Sequence, residues 1–377
     1  MLRTMRRSKM RYILPGLSAV GFVMLIAKLS VLNYYYRTGA NKSPNMADVA
    51  IKKDIAILNI IRSGSEKAKY KTAMDSMECY AIRNNYPYLE LHGEDFKALC
   101  GQDDIHIHFQ RHCIVAHILE TYNFTWVFLT EGDIGVVNEK KMLEEYVKEH
   151  ADIVFYDRFF SFEVTAGSYF ARKSNFSLAF LRGWADYSFR LPKTFGVLDN
   201  EAIHMWLVEM LAPNAPLAPV CWLLWRTARN FETLSYFTVC CREAVKNVTL
   251  SQIYIYKRGE AWVRDGWLTN SHWNPQRDFM FHGLKEKDKK RFVATQKNVV
   301  DGPWFYPWFD TLRAPLNLNK CKGGEQTWNH EAALITSKQA IDSHLEQWRR
   351  RVELEYHKKL LSVQRMANRL YTAYYRL

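Results

Sequence analysis

Apolar residues along this chain fall into short continuous runs and longer periodic stretches, and the two alternate. Ile55-Ala56-Ile57-Leu58-Asn59-Ile60-Ile61 is short and almost wholly apolar, which predicts a buried strand. Ser63-Gly64-Ser65-Glu66 has capping-box spacing and predicts a helix reaching about Asn84. Tyr88–Leu91 predicts a second strand, and a helix from about Phe109 to Tyr122 leads to a strand ending at Thr130. Asn138 is expected to cap a helix through Glu149, with Asp152–Tyr156 as the next strand. Strands alternating with helices predict a mostly parallel α/β sheet.

Beyond residue 156 the pattern is more mixed. Ala166–Arg172 reads as a glycine-led strand, followed by helices over about Phe176–Phe189 and Asn200–Leu211. Phe180, Leu181, Trp184 and Tyr187 recur at helical spacing and read as core. Residues 214–316 are rich in Trp, Phe and Tyr, with short strand-like pieces such as Gln252–Tyr256. From Ser337 onward Ile341, Leu345, Trp348 and Val352 mark a long amphipathic helix, with Glu346–Arg350 and Glu355–Lys359 as i,i+4 pairs. It is expected either to fold onto the domain or to dock a partner.

The N-terminus changes the picture. Five cations between Arg3 and Arg11 precede an apolar run over residues 13–32. Twenty residues span about 30 Å as a helix, a bilayer core. Tyr34-Tyr35-Tyr36 follows as an aromatic belt, and the excess of cations before the run predicts a type II signal anchor with the remainder luminal. The expected division is a cytosolic tail (1–12), a transmembrane helix (13–32), a stem (33–53), an α/β domain (54–318) and a basic helical extension (319–377). The net charge of +13 belongs to the ends: residues 1–53 contribute +9 and residues 320–377 contribute +5, leaving the middle at −1. A near-neutral central domain argues against nucleic-acid binding, which needs a basic face. Seven cysteines show no zinc-like spacing, and in an oxidising lumen some should pair. Sequons begin at Asn41, Asn123, Asn175 and Asn247.

Candidate chemistry centres on Glu131-Gly132-Asp133, at the carboxyl end of a predicted strand, where α/β sheets bind ligands. Residues i and i+2 of an extended segment face one side, so both carboxylates can converge on one point. Hard oxygen ligands suit manganese or magnesium. Gly132 would let a nucleotide approach the backbone. An ordinary strand-to-turn exit explains the same residues, since Asp and Gly are common there. His106, His108, His112 and His117 show no H-E-x-x-H spacing and read mostly as structural.

His108–Cys113, Phe128–Asn138, Asp157–Phe160, Ala166–Arg172, Trp184–Tyr187 and Asp199–His204 occur in this order. As a set they resemble a nematode-expanded family of uncharacterised nucleotide-diphospho-sugar transferases. More distantly they are similar to the Golgi α-galactosyl/α-mannosyltransferase and xyloglucan xylosyltransferase family. The resemblance implies a GT-A-like fold in a single luminal domain behind the transmembrane helix. It also implies a Golgi or ER membrane location, and transfer of a hexose or pentose from a nucleotide-sugar donor to a glycan or glycoprotein acceptor with retention. Manganese, or magnesium, would be held by Glu131, Asp133 and a late histidine, His282, with Lys285 and Arg111 meeting the donor phosphates. Gly167 and Ser168 would face the donor sugar. Asp199 would stabilise the transition state, with Glu201 as the alternative acid. The family's usual Asp is Glu at position 131, so a catalytically silent glycan- or partner-binding member is the second expectation.

Overall fold

The computed structural model of the chain describes residues 54–101, 106–248, 251–291, 307–325 and 327–374. The expected tail, membrane span (13–32) and stem lie outside these residues. Among the described residues no helix is long and apolar enough to cross a membrane.

Nine strands carry the site: β1 (Ile55–Ile61), β2 (Tyr88–His92), β3 (Trp126–Thr130), β4 (Ile134–Val136), β5 (Ile153–Tyr156), β6 (Ser168–Arg172), β7 (Ile253–Tyr256), β8 (Val263–Asp265) and β9 (Met280–His282). Six form one sheet in the order β2-β1-β3-β6-β5-β7. β1 is buried at every position, as a strand flanked and covered on both faces should be. It pairs in parallel with β2 and β3. The helices α1 (Lys71–Asn84) and α2 (Ile107–Thr121) provide the crossovers that parallel pairing needs.

The sheet is parallel-rich rather than uniform. β6 runs antiparallel to both β3 and β5, while β7 is parallel to β5. Residues 157–167 between β5 and β6 contain no helix, and an antiparallel neighbour requires none. A second sheet has the order β4-β9-β8, with β4 antiparallel and β8 parallel to β9. The chain leaves β3, passes through Glu131-Gly132-Asp133 and enters β4 at once, so the acid triplet is the joint between the two sheets. Phe128, Phe170 and Tyr156 pack around the Trp262 ring within one core that also contains Met280 of β9. Burying each such side chain stabilises the fold by about 1.5–3 kcal/mol.

The second half adds α3 (Asn175–Asp186), α4 (Asp199–Leu211), α5 (Ala218–Arg226), α6 (Phe231–Ala244) and α7 (Lys338–Tyr374). α3 packs on α2, and α7 lies against α6 and the 3-10 turn Gly266–Thr269. Ile341 and Leu345 of α7 join Phe159, Trp267 and Leu268 in one buried cluster. The amphipathic helix thus covers its own domain.

Three expected elements differ. Ser63 caps no helix: its hydroxyl pairs with Ser65, and a 3-10 segment (Gly64–Tyr70) precedes α1. Residues 138–149 form turns and a short 3-10 helix at Leu143–Glu145. Asn138 is buried there and donates its amide to the carbonyls of Pro275 and Asp278, tying down the approach to β9. α5 and α6 lie in the aromatic-rich stretch, where only short strand-like pieces were expected. Disulfides join Cys79 to Cys321, Cys100 to Cys113 and Cys221 to Cys240, and Cys241 is buried and free.

Candidate metal centre

The register of the small sheet assembles the centre. Ile134 faces His282 across β4–β9, and Asp265 faces His282 across β8–β9. His282 is thereby delivered beside the acids that precede β4. One ligand atom from each of Glu131, Asp133 and His282 falls within 4.8 Å of the others. His282 Nε2 is 3.6 Å from Glu131 Oε2 and 3.6 Å from Asp133 Oδ1. Its Nδ1 lies 2.8 Å from Asp265 Oδ1, which accepts the proton and leaves Nε2 turned toward the two acids. Sequence reasoning had no sign of Asp265, because only the β8–β9 pairing reveals it.

Asp265 is anchored in turn by Arg158, at 3.3 Å. Burial alone would raise its pKa, but Arg158 and His282 outweigh that and bring it down to about 2. Burial likewise works against a charged His282, yet Asp133 and Asp265 raise it above the ordinary histidine value. Two carboxylates and one oriented imidazole are a donor set that fits manganese or magnesium, the imidazole favouring manganese. Asp133 is otherwise buried, and its backbone carbonyl accepts from the N–H groups of Gly283 and Leu284. Gly283 has φ +93°, a conformation that glycine adopts without strain. The turn places Lys285 Nζ 3.5 Å from Asp133 Oδ2, on the solvent side.

Glu131 is shared between two systems. Its Oε1 accepts from Arg111 Nη1 at 2.6 Å, and the other end of the same guanidinium binds Asp199. Arg111 is 4% exposed and Asp199 0%. Burial would raise both carboxylates, but Arg111 outweighs it and holds Glu131 and Asp199 well below the usual range. His112 Nε2–H also donates to Asp199 at 3.1 Å, which leaves Nδ1 to accept from the Tyr169 hydroxyl. Burial lowers His112 to about 4, so it is neutral at pH 7.

The remaining expected residues are placed as follows. Gly167 faces Glu131: a Cβ there would lie 2.2 Å from Glu131 Oε2. Ser168 is buried and accepts from Trp262 Nε1–H at 2.9 Å, so its hydroxyl faces the core rather than a donor. Arg111 bridges two carboxylates instead of reaching solvent for phosphates. Asp199 opens α4, with Leu198 as the N-cap, and is linked to Glu131 through Arg111. Glu201 closes that capping interaction by accepting from the Leu198 N–H at 2.9 Å. Gly132 does not leave an open approach to the backbone: the Tyr70 ring occupies that side, 2.8 Å from where a Cβ would stand.

The chain is similar to the crystal structure of a glycosyltransferase involved in the glycosylation of the major capsid of PBCV-1, at 12% identity over 60% of this chain and 91% of that chain. The TM-score is 0.33, from which neither fold nor activity follows. No match was found among curated proteins. The family described as "Protein of unknown function, DUF273" matches residues 77–299, more than half of the chain, and the chain belongs to that family.

Proposed function

We propose that this protein is a metal-dependent glycosyltransferase that uses a nucleotide-diphospho-sugar donor and a glycan or glycoprotein acceptor. The observation that carries this reading is the convergence of Glu131, Asp133 and His282 at the carboxyl end of a central strand, with Lys285 beside them. Asp133 and His282 Nε2 would hold manganese or magnesium, with Glu131 as the third ligand. The bound metal would neutralise the diphosphate leaving group. Lys285 would pair with a phosphate oxygen from the solvent side. Asp265 keeps His282 in the ligating tautomer, and Arg111 fixes the Glu131 carboxylate while holding Asp199 beside it. An acceptor hydroxyl is the nucleophile in such a transfer, so positioning and charge stabilisation are the main tasks. The resemblance of the ordered motifs supports retention. The N-terminal apolar run and the three disulfides support a type II protein facing an oxidising Golgi or ER lumen.

The pairing of Glu131 with Arg111 favours one alternative, a catalytically silent member that binds glycans or partners through the same fold. One experiment separates the two: manganese titration and donor hydrolysis across UDP- and GDP-sugars. In the proposed enzyme, Asp133→Asn weakens manganese binding by more than about 100-fold and removes turnover, since even outer-shell changes cost 10–100-fold. An Asp133→Asn protein with undiminished transfer would sink the site assignment. A wild-type chain that neither binds manganese nor turns over any donor leaves the silent reading.

A further inference from the structure

A cleft of about 620 Å³ opens between α5 and the segment that follows α3, lined by Arg190, Leu191, Pro192, Lys193, Trp222 and Arg226. Its volume suits a small ligand. It shares no lining residue with the metal centre.

Three cations converge on this cleft and one carboxylate offsets them. Arg190 pairs with Glu209 at 2.7 Å and stacks on the Tyr187 ring. Among the described residues, Lys193 and Arg226 have no carboxylate within ion-pair distance. The lining with its one counter-ion therefore carries a local charge of +2. Like charges gathered in a concavity raise the local concentration of anions. An arginine fork and a lysine together match a carboxylate or sulfate group.

The aromatic wall narrows the choice. Trp222 stacks at 16° to Tyr187 and at 28° to Trp225, so its indole is held as a fixed flat surface. A fixed apolar plane beside cations fits a ring that has apolar C–H faces and carries anionic substituents. An inorganic anion would use the cations and leave the indole unused. The loop of residues 191–198 runs from this cleft to the start of α4, where Asp199 meets Arg111.

We propose that this cleft binds an acidic oligosaccharide, one that carries carboxylate or sulfate groups on its sugar rings. Binding stands independently of the transferase reading; only its role as the site for an acidic acceptor glycan rests on that reading.

The test uses the full chain, with calorimetry and tryptophan fluorescence as readouts. The probes are a hyaluronan hexasaccharide (carboxylates only), a chondroitin sulfate hexasaccharide (carboxylates and sulfates), neutral chitohexaose, inorganic sulfate and phosphatidylserine vesicles. At least one acidic hexasaccharide binds, the two distinguishing carboxylate from sulfate recognition. Its affinity falls as salt rises from about 50 to about 300 mM. Lys193→Ala with Arg226→Ala weakens it by about tenfold or more. Trp222→Phe, which keeps the stacking core, weakens it by about threefold. Manganese binding is unchanged in these variants, and Asp133→Asn leaves glycan binding unchanged, so the two readings fail separately. Equal binding of chitohexaose, inorganic sulfate binding as tightly as the hexasaccharides, binding of vesicles in place of glycans, or unaltered affinity in the double variant would each overturn the proposal.

Discussion

Arg111 lies buried between Glu131 and Asp199, and its charge outweighs the burial that would raise both acids, holding them well below the usual carboxylate range. Removing one partner of such a buried set leaves an uncompensated charge, which costs about 3–5 kcal/mol. Glu201, two residues beyond Asp199, has no such cation. Burial, with Glu163 adding to it, raises its carboxyl from 4.5 to about 8. The folded protein therefore keeps a proton that the unfolded chain releases above about 4.5. The stability this gives is fully present below pH 4.5 and is lost as pH rises toward 8, at about 1.4 kcal/mol per unit. Glu201→Gln retains an acceptor for the Leu198 N–H and abolishes the titration. Thermal melts across pH 5 to 8 should show the wild-type Tm falling relative to the glutamine variant. Parallel curves would show that Glu201 ionises normally.

At the scale of elements, the centre depends on two close approaches that spacing along the chain does not announce. The first is β6 against the end of β3, where Gly167 leaves room for the Glu131 carboxylate. Gly167→Ala must push that carboxylate aside, because its Cβ would stand 2.2 Å away. The expected result is a loss of about 10–100-fold in manganese affinity with cooperative unfolding intact, read by calorimetry and denaturation. Unchanged affinity would mean that Glu131 is not a ligand. The second approach is β9 between β4 and β8, which brings His282 to Asp133 from 149 residues away. Most of the elements around these contacts were legible: β1, β2, β3, β5, α2 and α4 follow from apolar runs and helical spacing. The helix expected after Asn138 was not formed: Asn138 Oδ1 still accepts from the Lys140 N–H at 3.2 Å, but the chain continues as turns to the short 3-10 helix at Leu143–Glu145, while the amide nitrogen ties this turn to the 275–278 loop.

At the scale of the molecule, α7 extends for 37 residues, roughly 55 Å, across its own domain. Its sequence left docking on a partner open, since an amphipathic stripe does not name what it covers. Leu345 is 2% exposed and packs with Phe159, Trp267 and Leu268. Leu345→Ala should cost about 2–5 kcal/mol in urea unfolding. Leu354→Ala on the exposed face should stay within about 0.5 kcal/mol. Equal effects would mean that the helix does not rest on the domain in solution.

By itself the sequence determined the α/β alternation and the acid pair at the end of a strand, because periodicity and residue chemistry are local properties; the third candidate ligand, His282, came only from the resemblance of the ordered motifs. It also implied an anchor whose residues lie outside those described. Only the tertiary structure decided that β6 runs antiparallel, that Asp265 orients His282, that Tyr70 covers Gly132, and that Arg111 joins Glu131 to Asp199. Each of these depends on strand register or on packing between residues distant in the chain, and the physics of neighbours along the chain does not encode which distant groups will meet.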